Sequence, residues 1–156
     1  MKNGAGFSLV ELITTVAVLA IVSMVSYPAL GSWKTKEKMR AEIREMVGSL
    51  MKAKVEAIKE NRYVVVQFTD GGYTAFVDDG ANGGTPKDWI CQPGEREFVR
   101  HANIDSIKLS TNFPSDRMRF TGRVGIKAGS VTFSSDEKPF AKVVLSLTGR
   151  VRVEKL

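Results

Sequence analysis

Two stretches of this 156-residue chain carry residue types from which a binding or catalytic site is ordinarily built. In VDDGANGGTPKD, Asp78, Asp79, Asn82 and Asp88 offer the hard oxygen ligands that calcium takes. Asp and Asn before Gly also form turns, and the spacing departs from an EF-hand loop closed by glutamate. The stretch therefore reads as a plain loop or as a calcium site. His101 and Cys91 are the only histidine and cysteine. A metal centre or a Cys-His nucleophile built on them would need a third orienting group, and no motif supplies one. GxSxG, P-loop and HExxH patterns are absent, and the glycines of GAGFSLVE precede an apolar run rather than joining a strand to a helix. The expectation is a non-enzyme with no cofactor and no metal. One cysteine also excludes an intrachain disulfide, which leaves Cys91 as a small buried hydrophobe or a free thiol for an intermolecular bridge.

Charge is distributed unevenly. The formal total is +6; residues 1–114 hold 14 basic and 13 acidic side chains, whereas residues 115–156 hold 9 and 4. Arg117 and Arg119 stand two apart, as do Arg150 and Arg152. In a strand each pair shares one face at a spacing of about 6.6–6.8 Å, with Val151 and Val153 turned to the core. Such a row, extended by Arg123, Lys127 and Lys155, would grip successive DNA phosphates without reading bases. The alternatives are a solvated strand face, or a basic patch against anionic lipid or an acidic partner subunit.

At the other end, MKNGAGFSLVELITTVAVLAIVSMVSYPAL places one acid, Glu11, just before an apolar run. Leu12 to Trp33 are 22 consecutive residues without charge, and a bilayer core takes roughly 20 helical residues to cross. The small-residue site GAG lies before this run, so a cut after Gly6 removes MKNGAG and leaves the anchor on the mature chain, unlike secretory signal cleavage. The freed amine of Phe7 would then sit one helical turn from Glu11, which also favours the positive end of the helix dipole. Packed beside other helices, Glu11 can pair instead with a neighbour's amine, neutralising both charges and setting register.

Certain elements must position these residues. From Lys34 to Asn61 there is no proline, and Met39, Ile43, Met46, Leu50, Ala53 and Ala57 recur at spacings of four and three, which predicts an amphipathic helix continuing the anchor. With the segment from Phe7 it makes a rod of about 54 residues, roughly 80 Å, bent near Pro28. Beyond Asn61 the period becomes alternating. YVVVQF and YTAFVD read as a hairpin turning near Asp70, Gly71 and Gly72. IDSIKLS, RMRFTG, SVTFSS, AKVVLSLT and RVRVE are further strand candidates. The expected class is α+β, with one or two antiparallel sheets packed on the helix stripe.

These residues resemble a known family. GFSLVELITTVAVLAIVSMVSYPAL is similar to the class III signal of type IV pilins and type II secretion pseudopilins, and the whole chain, with its glycine-rich middle loop and TGRVRV end, resembles the GspH/FimT family of minor pilins and pseudopilins. The resemblance implies a type IV pilin-like fold. It also implies that a prepilin peptidase cuts after Gly6 and methylates Phe7, that residues 1–6 are a leader, that residues 7–33 span the inner, cytoplasmic membrane, and that residues 34–156 form a periplasmic domain. Lys34, Lys36, Lys38 and Arg40 then follow the span on the outer side, against the usual positive-inside bias. Implied partners are other minor and major pilins and pseudopilins, an inner-membrane assembly platform, and the filament they build. The implied role is a minor pseudopilin that starts or caps a short filament in type II secretion or a type IV pilus-like system. The alternative is DNA uptake, because some FimT-type members carry a GRxR motif matched here by Gly149, Arg150, Val151 and Arg152.

Overall fold

A computed structural model of the chain describes residues 8–69, 72–102, 107–122, 127–135 and 138–156, with the side chains of residues 25–30 and 32 left aside. Among the described residues one α-helix, α1 (Leu9–Glu60), is followed by eight strands: β1 (Val64–Thr69), β2 (Gly72–Val77), β3 (Glu97–Ala102), β4 (Lys108–Thr111), β5 (Arg117–Phe120), β6 (Gly129–Ser135), β7 (Lys138–Leu145) and β8 (Val151–Lys155). The chain divides into two compact units, Met1–Lys38 and Met39–Leu156. Pro28 falls inside α1, whose helical assignment runs through it.

In the first unit the apolar side chains of Leu9, Val10, Leu12, Ile13, Val16, Leu19, Ile21 and Met24 are all exposed. The few hydroxyls among them are satisfied within the helix: Thr15 donates to the Leu12 carbonyl (2.8 Å), Ser23 to the Leu19 carbonyl (2.7 Å), and Thr14 to the Val10 carbonyl. Polar groups paired in this way can sit in an apolar surround without an orphaned donor. Among the described residues no helix is long and apolar enough to cross a membrane. The expected span at 7–33 includes side chains outside the description, and the described uncharged run ends at Met24, well short of Trp33.

In the second unit the helix stripe is the core. Met39, Ile43, Met46, Leu50, Ala53 and Ala57 are all buried, as their spacing requires. Two four-stranded antiparallel sheets pack with this stripe, in the orders β3-β2-β1-β5 and β4-β6-β7-β8. The β1–β2 hairpin pairs Val64 with Val77 and Thr69 with Gly72, as its alternation predicts; the turn residues Asp70 and Gly71 lie outside the described residues. The inward residues Val64, Val66 and Phe68 meet Met118, Phe120, Val131, Phe133, Val143 and Leu145 in one cluster. Phe68 stacks on Phe113 with ring centroids 6.0 Å apart.

The first sheet also has a covered outer face. Val65 and Phe76, cross-strand partners, are fully buried yet stand apart from the main cluster. Arg119, opposite Val65 on β5, lies over the rings of Tyr63 (4.5 Å) and Trp89 (4.2 Å). The loop that carries Trp89 therefore roofs this face.

A polar stripe flanks the apolar one on α1. Glu42 and Glu45 face His101 (2.6 and 3.3 Å), Ser49 accepts from Tyr73 Oη (3.2 Å), Lys52 donates to the Phe98 carbonyl (3.3 Å), and Glu56 and Glu60 both meet Arg96 (2.7 and 2.6 Å). These contacts tie α1 to β2, to β3 and to Arg96 just before β3. That strand gave no sequence signal.

Candidate functional site

The amino-terminal features come first. Gly6 and Phe7 lie outside the described residues. Glu11 stands in the first turn of α1, where its charge favours the positive end of the helix dipole. Its backbone N–H donates to the Ser8 carbonyl (3.0 Å), and among the described residues its carboxylate has no ion-pair partner. The acid thus sits within a band of exposed apolar side chains. Further along, Met51, Val55 and Ile58, at helical spacing, form an exposed apolar edge on the second half of α1. Gly48 continues it, with no atom near where its Cβ would stand.

The loop from Asp78 to Glu95 is organised by its own acids. Asp78 is 1% exposed, and its two oxygens accept the Lys87 and Trp89 N–H groups. Glu95 accepts from Gly80 and Gln92 (3.1 and 2.9 Å), Asp88 from Ile90 (2.8 Å) and the Gln92 amide, and Asp79 from Ala81 (3.2 Å) and Arg62. Asn82 sits in a short 3-10 turn at φ +56°. Among the described residues no group of side chains stands ready to hold a metal ion. The carboxylates here act as partners for backbone N–H groups. Cys91 on the same loop is exposed and free, which corrects the expectation of a buried hydrophobe; partial burial and the charges of Glu97 and Glu95 still raise its pKa. The cause is local: the loop turns its acids and Trp89 inward and leaves Ile90 and Cys91 outside.

The basic pairs do not form one row. Arg117 and Arg119 lie on β5 at the edge of the first sheet, and Arg152 lies on β8 at the edge of the second. Arg123 is outside the described residues. Gly149 has φ +71° in the turn before β8, a conformation that favours glycine. Its N–H donates to the Ser146 carbonyl (2.9 Å), and its own carbonyl accepts from Lys54 on α1 (3.1 Å). Arg150 is exposed with its backbone held by Ser146, and Arg152 meets Glu154 at 2.8 Å. Val151 packs on the core as expected, but Val153 is 47% exposed. That position is corrected because β8 pairs only with β7 and forms the rim of its sheet.

The sequence reading missed Trp89, the stacking of Arg119 on the rings of Tyr63 and Trp89, and the helix acids that face His101. A tryptophan in a stretch dense with Gly, Pro and Asp was the available signal, because a large ring in a turn-rich loop commonly covers something.

A long amino-terminal helix, apolar and uncovered in its first part and buried against antiparallel sheets in its second, defines a pilin-like subunit. Comparison with known proteins agrees. The family model described as type II transport protein GspH matches residues 42–149, and that of the prokaryotic N-terminal methylation motif matches residues 1–27. The chain belongs to the GspH family. Among solved structures, the type IV minor pilin FimU of Pseudomonas aeruginosa is similar at 13% identity and a TM-score of 0.59, covering 78% of this chain and 92% of FimU. The minor pseudopilin EpsH from the type 2 secretion system of Vibrio cholerae is similar at 10% identity and 0.57, covering 76% of this chain and 97% of EpsH. At these identities the likeness is one of fold. Among curated proteins, none matches the chain in sequence.

Proposed function

We propose that this chain is a non-enzymatic minor pseudopilin, processed after Gly6, methylated on Phe7 and assembled with related subunits into a short periplasmic filament of a type II secretion or type IV pilus-like system. The observation that carries this reading is the exposed apolar length of α1 with Glu11 in its first turn. Such a surface is covered either by lipid, in an inner-membrane anchor bent at Pro28, or by the helices of other subunits. The GspH family match and the methylation motif support it. The assembly platform and the prepilin peptidase are the partners such a cycle requires.

Mass spectrometry of the membrane-extracted protein tests the processing step. The expected amino terminus is methylated Phe7, and an intact Met1 would overturn it. Glu11→Ala tests assembly: the mutant domain should fold normally yet crosslink poorly to co-expressed pseudopilins, and unchanged crosslinking would refute the charge-pairing role.

A second reading, DNA uptake, is favoured by one observation, the exposed Arg150 side chain at the tip of the last hairpin, which has no partner among the described residues. The residue 34–156 domain would bind duplex DNA of any sequence, with affinity falling steeply in salt. Changing Arg150 and Arg152 to Gln would lower the log-log salt slope by about two if both contact phosphate. Neutralising the exposed Lys59 and Lys108 instead should leave that slope closer to its original value. Equal loss from both pairs would return the hairpin to a solvated or subunit-facing role.

A further inference from the structure

A second basic feature lies away from the carboxyl-terminal hairpin. A cavity of about 370 Å³ opens between the roofing loop and the turn before β5, lined by Asp88, Trp89, Pro114, Ser115, Arg117 and Lys127. Its volume falls within the range that holds small ligands. Arg62, Arg96, Arg100 and Arg152 each face a carboxylate. Arg117 and Lys127 do not: among the described residues neither has an acid within ion-pair distance. The Nε of Arg117 is buried and, among the described residues, has no hydrogen-bond acceptor, a state that structures ordinarily avoid. Asp88 at the wall does not satisfy either cation, since its oxygens accept from Ile90 (2.8 Å) and the Gln92 amide.

The walls are held under strain. Trp89 and Ser115 have φ of +69° and +54°, and their neighbours Lys87 and Asp116 +68° and +52°. Side chains rarely adopt this region, and such residues gather at binding sites. Buried Asp78 fixes Lys87 and Trp89 through their backbone N–H groups, while Arg119 lies over the indole. Two strained turns thus present an aromatic wall and two uncommitted cations to one small space.

We propose that this cavity binds a single oxyanion group, a carboxylate or a phosphate, carried on a small molecule or on the end of a side chain. The guanidinium of Arg117 supplies a directional donor fork, Lys127 adds a point charge, and Trp89 covers the apolar part of the carrier. The proposal stands apart from the assembly reading, because neither Glu11 nor the exposed edge of α1 takes part.

The test uses the full chain in detergent with Trp33→Phe, so that Trp89 is the remaining tryptophan. Inorganic phosphate and acetate are titrated separately at constant ionic strength, with chloride as reference. A saturable change in Trp89 fluorescence with either anion, absent with chloride, is expected; the tighter of the two names the carrier group. Arg117→Gln should weaken the apparent affinity about tenfold, the loss expected for a charged hydrogen bond. Lys127→Gln, outside any strand, should weaken it by a smaller factor, and Lys59→Gln should leave it unchanged. No saturation beyond chloride with either anion would overturn the proposal. So would an effect of Lys127→Gln no larger than that of Lys59→Gln.

Discussion

Single residues here often serve a backbone need before any chemical one. Gly149, first met as part of a possible phosphate-gripping motif, holds a left-handed turn and hands its carbonyl to Lys54. Gly149→Ala should therefore cost about 1–2 kcal/mol, the penalty of a Cβ in that region, read as a lower urea midpoint at unchanged slope. Asp78 makes a sharper case. With the side chain 1% exposed and both oxygens occupied by N–H groups, Asp78→Ala strands two partly buried donors. It should lose about 2–4 kcal/mol and change the near-ultraviolet signal of Trp89. An unaltered Trp89 signal would show that the loop holds its shape without the carboxylate.

At the level of elements, α1 carries three parallel lines of side chains with different duties. Met39 to Ala57 build the core, Glu42 to Glu60 tie down the edge of the first sheet, and Met51, Val55 and Ile58 remain uncovered. Met46→Ala should cost about 2–5 kcal/mol, as other buried methionine truncations do. Gly48→Ala, on the open face with nothing near its Cβ, should stabilise the isolated domain by up to about 1 kcal/mol. If the same change weakens filament formation, that glycine is kept for the close approach of another helix. The core line was legible in the sequence because helical spacing sorts apolar residues without reference to anything distant. β3 was not, since Glu97, Arg100 and His101 make it half polar: Glu97 and Arg100 pair with each other, and the partners of His101, Glu42 and Glu45, sit on α1, remote in the chain. Of the two basic pairs, Arg117 and Arg119 were legible on one strand for the same local reason, whereas Arg150 stands in the turn before β8 and only Arg152 on the strand. The separation of Arg119 from Arg152, on two sheets, was hidden, because strand order is set by contacts between residues remote in the chain.

Across the whole molecule, the alkaline limit of stability is set in part by Tyr73. Burial raises its pKa to about 12, with the charges of Glu45 and Glu42 adding to the effect and the hydrogen bond to Ser49 opposing it. An acid whose folded pKa lies above its unfolded value contributes stability that is complete below about pH 10. That share is lost as the pH rises toward 12. Comparing urea midpoints at pH 9 and 11 for the native chain and Tyr73→Phe should show the smaller fall in the variant. The strand orders carry a different consequence. The first sheet takes β1, β2 and β3, yields β4 to the second sheet, and receives β5 only afterwards. Neither sheet is complete until the chain has crossed between them, so no early fragment owns a finished layer. During synthesis or export the free edge of β1 stays open until Phe120 arrives, and that of β7 until Lys155. Timing is thereby written into the topology: a chain arrested anywhere before its last hairpin exposes an unpaired strand edge, which is a ready target for quality-control proteases and for mispairing with the next copy.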